Sequence, residues 1–373
     1  MQTIRIVLPA ALACLFAADA FAQDTIVTRE GRRMRGVEIV GLTTEFATYK
    51  QGDQELQLAA DKVAEITWAD PPEAFGLGRA ALRTGDFATA VNQFLEAAQK
   101  TEREPLKAEA TYLAGEAMAR AGASDPAKAA DAAQMLADWL NNHPDGFRTP
   151  DAMLARGRAL IAADQPQEAE TILETLANDS LTKNWPLVWG ALAKFEQARA
   201  QMKREQYASA RTTFRAAISA AKAARDADTG NQELLSLEAD ANVGIGETWV
   251  SEKNFDDALR YYRDLAKTAE NPAVRAAALA GEGEALLLRA ETAGNQEGLR
   301  EAQVALAKAN LFDSTGADTT AKALYYSGRV ILALGPDREA SNFKERASSY
   351  FETVVKRYSD TSWAPLAAEQ LRR

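Results

Sequence analysis

One recurring interval constrains this chain more than any other feature. Gly78 is followed at +12, +16 and +19 by Ala90, Phe94 and Ala97. The same interval leads from Gly157 to Ala169, Leu173 and Leu176, from Ala198 to Ala210, Phe214 and Ala217, and from Gly246 to Ala258, Tyr262 and Leu265. Three further sets fit when the turn is lengthened. Gly115 is followed by Ala129, Ala133 and Leu136, two positions late across "AGASDPAKA". Gly283 (with Ala302, Leu306 and Ala309) and Gly328 (with Ala347, Phe351 and Val354) each run seven late. Such self-similarity predicts stacked helical hairpins. Glycine or alanine lets two helices approach closely, and a large side chain at +16 fills the space against the next hairpin. No single hairpin buries both faces of its helices, so neighbours share one elongated core.

Successive anchors lie 37, 42, 41, 48, 37 and 45 residues apart. "GRAALRTGDFATAVNQFLEAA" and "GETWVSEKNFDDALRYYRDL" resemble the tetratricopeptide repeat (TPR), a helix-turn-helix unit of about 34 residues. The resemblance implies a mainly α chain, a solenoid that binds a peptide or protein partner on its concave face. The long, irregular units are similar to those of exported or envelope-associated bacterial repeat proteins, and the basic set of chaperone-binding clamps does not align. The final "SSYFETVVKRYSDTSWAPLAAEQL" resembles the rhythm of outer-membrane assembly and cell-division repeat proteins, with Asp360 where a proline often stands. Seven irregular hairpins are expected over 71–362, and a capping helix over 363–373 that packs Trp363, Leu366 and Leu371 inward.

The front of the chain has a different character. Residues 1–22 carry one early charge at Arg5, an apolar run from Ile6 and an A-F-A ending at Ala22, the pattern of a cleaved secretory signal. An apolar first helix is one alternative, and a lipoprotein site at Cys14, the only cysteine, is another. Cleavage after Ala22 leaves a 351-residue, cysteine-free chain, so packing rather than disulfides must hold it together. The expected location is the periplasm, with an outer-membrane lipoprotein as the minor reading.

Residues 23–70 are rich in Val, Ile and Thr, with strands expected near 25–28, 33–40, 44–49, 54–58 and 64–68 and a hairpin turn at Gly52-Asp53. In "EFATYK" the period of two puts Phe46 and Thr48 on one side, Ala47 and Tyr49 on the other. "REGRRMRGVEI", "EFATYK", "GDQELQL" and "KVAEITW" resemble the SH3-like or Sm-like barrels attached to exported repeat proteins. The cluster Arg32, Arg33 and Arg35 reads as a solvated strand or as a patch for an acidic partner. Pro71-Pro72 stops the last strand, and helix is expected from Glu73.

Chemistry-bearing motifs are missing. His143 is the only histidine, in "NNHPDG" between two hairpins, where it reads as a helix-ending or solvent-facing residue. No nucleophile elbow, phosphate loop, zinc helix or calcium loop occurs. Glu282 and Glu284 are two apart on one helix and point in different directions, so they are not an acid-base pair. No catalytic, cofactor-binding or metal residue is assigned. Trp185 and Trp189, in "NWPLVWG", read either as packing between hairpins or as a partner-contact surface. The net charge of −10 argues against general nucleic-acid binding. The leading expectation is an exported non-enzymatic scaffold or adaptor. A structural subunit of an envelope complex and a carboxylate-dependent saccharide-processing enzyme are the alternatives.

Overall fold

The computed structural model describes residues 23–123, 125–227, 232–311, 317–336, 342–359 and 361–373. The expected signal 1–22 with Cys14, and Asp360, lie outside the described residues. Five strands come first: β1 (Asp24–Thr28), β2 (Arg33–Leu42), β3 (Phe46–Gln51), β4 (Gln54–Ala59) and β5 (Val63–Thr67). They form one antiparallel sheet in the order β4-β3-β2-β1-β5. Ala47 and Tyr49 are buried while Phe46 is exposed, as the alternation in β3 requires. Among the described residues no ladder joins β4 to β5, so the sheet is open where a barrel was expected. Its apolar face does not need closure by its own strands. Ile26, Val37, Ile39 and Val63 share one core with Trp68, Phe75 and Phe94 of the linker and first hairpin.

Seven hairpins follow. They are α1 (Glu73–Thr84) with α2 (Phe87–Lys100), α3 (Glu104–Ala121) with α4 (Pro126–Asn142), and α5 (Thr149–Ala162) with α6 (Pro166–Thr182). Next come α7 (Leu187–Lys203) with α8 (Tyr207–Ala227), α9 (Gln232–Ser251) with α10 (Phe255–Thr268), and α11 (Pro272–Ala293) with α12 (Gln296–Leu311). The last pair is α13 (Ala317–Leu334) with α14 (Phe343–Arg357), closed by α15 (Trp363–Arg372). This is a TPR-like solenoid preceded by a small β sheet.

Five of the hairpins turn in the same way. Gly85, Asp164, Glu205, Lys253 and Gly294 each take a positive φ, between 58° and 78°. The next N–H then reaches back five residues: Asp86 to the Ala81 carbonyl, Gln165 to Leu160, Gln206 to Gln201, Asn254 to Trp249 and Asn295 to Ala290, all within 2.8–3.0 Å. This bond ends one helix, and the donor residue opens the next. Asp86 and Asn254 do so as side-chain caps.

The anchors do what the interval requires. A Cβ added to Gly78 would stand 2.8 Å from the Phe94 ring, at Gly157 2.6 Å from Leu173, at Gly283 2.4 Å from Leu306 and at Gly328 2.7 Å from Phe351. Tyr262 is held from both sides, 2.1 Å from a Cβ at Gly246 and 2.3 Å from one at Gly281 on the next hairpin. In the second hairpin Gly115 meets Leu136 at 2.8 Å and not Ala133, because a small residue at the usual position leaves the notch to the side chain one turn later.

The cap differs from expectation in one respect. α15 buries Ala364 and Ala367, while Leu366 and Leu371 are exposed. Ala364 and Ala367 lie three apart on one side, which turns Leu366 outward, and Leu371 sits in the final turn. Trp363 does pack inward, its ring 5.6 Å from both Tyr325 and Tyr326.

Gly246→Ala should lower thermal stability by about 1–3 kcal/mol, since the Tyr262 ring is hemmed in on both sides. Gly76→Ala in α1, where an added Cβ meets nothing within 4 Å, should be neutral or stabilising. Thermal melts followed by far-UV circular dichroism compare the two directly.

Candidate functional site

Among the described residues, the odd-numbered helices from α3 to α13 touch one another across successive hairpins far more extensively than the even-numbered ones do. The odd-helix layer is therefore the shorter, concave side of the stack. A groove of about 690 Å³ opens on it over α3, α5 and α7. Its floor is apolar, with Leu154, Ala155, Ile161, Leu192 and the half-buried Trp189. Five exposed cations rise around that floor: Arg29, Arg120, Arg158, Arg199 and Lys203, against two carboxylates, Glu116 and Asp151.

A single buried acid positions two of the cations. Glu196 on α7 is 2% exposed, with Arg158 Nε donating to one oxygen at 2.6 Å and Arg199 Nη1 to the other at 2.8 Å. Burial alone would raise the Glu196 pKa, but Arg199 and Arg158 outweigh it and hold the carboxyl below its usual range. The guanidinium groups are fixed at their inner ends and remain about half exposed. Glu116 is ion-paired to Arg120. Lys203 has no ion pair among the described residues.

Asp151 lies at the edge of the groove beside Arg148, 3.5 Å away. Arg148 is chiefly occupied with Glu109, which accepts from its Nε at 2.9 Å and Nη2 at 2.7 Å. Burial pushes the Asp151 carboxyl up to about 7; Arg148 opposes this, and Glu109 and Glu116 add to it.

The β sheet forms one end wall. Arg29, in the β1–β2 turn, donates to the Asp61 carbonyl at 2.7 Å and reaches the groove. The β2–β3 turn pairs Thr43 with Gly146 in the α4–α5 loop, and the Thr44 N–H donates to the Asp145 carbonyl at 2.9 Å. Asp24 holds the wall in place. Its buried carboxylate accepts from the Ile39 N–H at 2.8 Å and the Ala69 N–H at 2.7 Å, and pairs with Arg103 ahead of α3. Arg103 also stacks 5.3 Å from the Trp68 ring.

The two tryptophans singled out in "NWPLVWG" part company. Trp185, in the α6–α7 loop, is 6% exposed and belongs to the core shared by α5, α6 and α7, with Lys183 over its ring at 5.1 Å. Trp189, in the first turn of α7, faces the groove. His143 ends α4, its ring 4.8 Å from that of Trp139, and burial holds the imidazole below its ordinary range. Arg32, Arg33 and Arg35 are exposed and lie outside the groove. Glu282 pairs with Arg263, while Glu284 turns inward to Lys322, so the two do point apart. Lys322 is buried between Glu247 at 2.7 Å and Glu284 at 2.8 Å; burial would lower its pKa, but the two acids raise it well above normal. Among the described residues, no group of His, Cys, Asp and Glu could hold a metal, and no helix is long and apolar enough to cross a membrane.

The groove's charges carry a signal that reading for catalytic motifs passed over. The residue directly after each small anchor is charged: Arg79, Glu116, Arg158, Arg199, Glu247, Glu284 and Arg329. Each is ion-paired, in five of the seven cases to a residue of another element. One step along a helix from the face that meets its partner reaches the face that lines the hollow.

No protein-family model matches the sequence, and no curated protein matches it. Similar solved structures include a tetratricopeptide repeat protein from Parabacteroides merdae, 15% identical, with a TM-score of 0.49 over 80% of this chain and 96% of that one. The apo form of the quorum sensor NprR from B. thuringiensis is 12% identical, with a TM-score of 0.46 over 79% of each chain. The apo form of RapI is 14% identical, with a TM-score of 0.44 over 75% of this chain and 98% of that one.

Two outcomes are expected. Asp24→Ala, which strands two N–H groups and Arg103, should cost about 3 kcal/mol in denaturant unfolding. For Asp151, the folded pKa lies above the unfolded one, so the native state holds the proton longer and stability falls as pH rises from the unfolded value through about 7. Asp151→Asn removes that slope. Relative to the parent, it should gain stability between about pH 5 and about pH 8 in melts across that range.

Proposed function

We propose that this chain is an exported, non-enzymatic protein-interaction scaffold of a bacterial cell envelope, and that the groove over α3, α5 and α7 receives a segment of its partner. The observation that carries this reading is the groove itself: an apolar floor with a half-buried tryptophan, rimmed by exposed charges, on the concave face of a repeat stack. Glu116 is ion-paired to Arg120, so among the described lining residues Asp151 has no free carboxylate to work with, which suits recognition better than paired acid–base chemistry. The expected signal cleavage after Ala22 falls ahead of β1 and leaves every described residue in place. The five-stranded order of the sheet is in keeping with an opened relative of the SH3-like barrels, used here as a wall.

A second reading, a structural subunit of a stable complex, draws support from Leu366 and Leu371, both exposed at the end of the stack. Crosslinking and affinity capture of the tagged protein from native cell envelopes separates the two. Under the scaffold reading, capture of partner proteins should drop at least tenfold with Trp189→Ala while the protein stays folded. One partner at fixed stoichiometry, retained by Trp189→Ala and lost on replacing Leu366 and Leu371 with Ser, would favour the structural subunit. Recovery of the protein only from the cytoplasmic fraction, with residues 1–22 still attached, would overturn export.

A further inference from the structure

The chemistry of the groove specifies its ligand more closely than "a protein segment". Although the chain as a whole is acidic, with a net charge of −10, the groove gathers five exposed cations and two carboxylates. Those two carboxylates contribute little free negative charge. Glu116 is neutralised by Arg120, and Asp151, beside Arg148, holds its proton up to near neutral pH. Among the described residues, Lys203 is without an ion pair, and Arg29 has no ion pair and donates through Nε to the Asp61 carbonyl. Arg158 and Arg199 share one buried carboxylate between two guanidinium groups. Such a surplus repels a cationic ligand and favours an anionic one over a neutral one, and the low dielectric of apolar walls strengthens the preference.

The cationic stretch has definite ends. On one side stands the β sheet, which brings Arg29 to the rim. On the other, beyond α7, the concave face changes sign at Asp240 and Glu247 of α9, both close enough to Arg199 to raise its pKa. Along α5 the lining runs from Asp151 to Ala162, eleven helical rises or roughly 16 Å, which accommodates about five extended residues.

We infer that the groove binds a short extended acidic segment of a partner protein, about five residues long, in which carboxylates meet Arg29, Arg158, Arg199 and Lys203 and intervening apolar side chains lie on Trp189 and Leu192. This rests on the scaffold reading above. A phosphate polymer would satisfy the cations but leave the apolar floor unmatched, so a protein segment with alternating acid and apolar side chains fits the whole lining.

Fluorescence anisotropy tests the assignment with three labelled decapeptides of alternating Glu and Leu, Gln and Leu, or Lys and Leu, and a single-stranded oligonucleotide. The Glu peptide should bind, should weaken as salt is raised, and should lose at least tenfold in affinity on Arg29→Glu combined with Lys203→Glu. Neither of those residues supports a buried charge, so the melt of the double variant should match the parent. Equal binding of the Gln or Lys peptide, or no effect of charge reversal, overturns the acidic assignment. If Trp189→Ala still abolishes that binding, the scaffold groove survives and only its charge preference fails. Tighter binding of the oligonucleotide than of the Glu peptide overturns the choice of a protein ligand. Failure of all four probes to bind overturns the assignment, and the envelope capture then decides whether the scaffold reading stands without it.

Discussion

The stack depends on one contact repeated along its length: a large side chain of one helix seated where the facing helix has no side chain. Tyr262 shows it most fully. Its ring lies against Gly246 of its own hairpin and Gly281 of the next, so one residue joins two units. Phe214 does the same between Ala198 and Gly244. Because the ring is shared, a hairpin cannot shift without opening a cavity on both sides, and cavities in close-packed interiors are costly. This contact sets the register of the whole solenoid in the absence of disulfides in the expected mature chain.

Charges follow from that register. With the small anchor fixed against its partner, the next residue on α3, α5 and α7 (Glu116, Arg158 and Arg199) lines the groove. The corresponding residue is charged in all seven hairpins, and five of the seven pair with a neighbouring element, as Arg158 does with Glu196 and as Glu247 and Glu284 do with Lys322. Buried members of such sets are positioned by desolvation and pairing together, and the exposed ends of the arginines are left for a ligand. The same arrangement thus stiffens the interior and furnishes the groove. Over α5 and α7 the surplus is cationic; over α9 it becomes anionic.

The sheet belongs to this scheme as a wall. Its apolar face is spent on the first hairpin, which explains why its strands stay open, and Asp24 joins β1, the Trp68-Ala69 link and Arg103 in one buried node. The β2–β3 turn extends contact to the α4–α5 loop. A ligand lying in the groove therefore meets the sheet at one end, through Arg29, and open helix surface at the other.

The sequence by itself determined the seven hairpins, the change of regime at Pro71-Pro72, the five strands and the close approach at Gly78, Gly157, Gly246, Gly283 and Gly328. All of these rest on local spacing, because helix and strand periods and small residues act over short stretches of chain. It also placed Glu282 and Glu284 on different sides of their helix. Only the tertiary structure decided that the sheet stays open, that Trp185 is packing while Trp189 faces a groove, that Leu366 and Leu371 point outward, and that Arg29 and Lys203 line one groove. Those outcomes depend on which surfaces of distant segments meet, and residues 174 apart in the chain come to one groove only after three hairpins and a sheet have docked. The charged residue after each anchor was present in the sequence throughout, yet its meaning required knowing which side of the odd helices is concave.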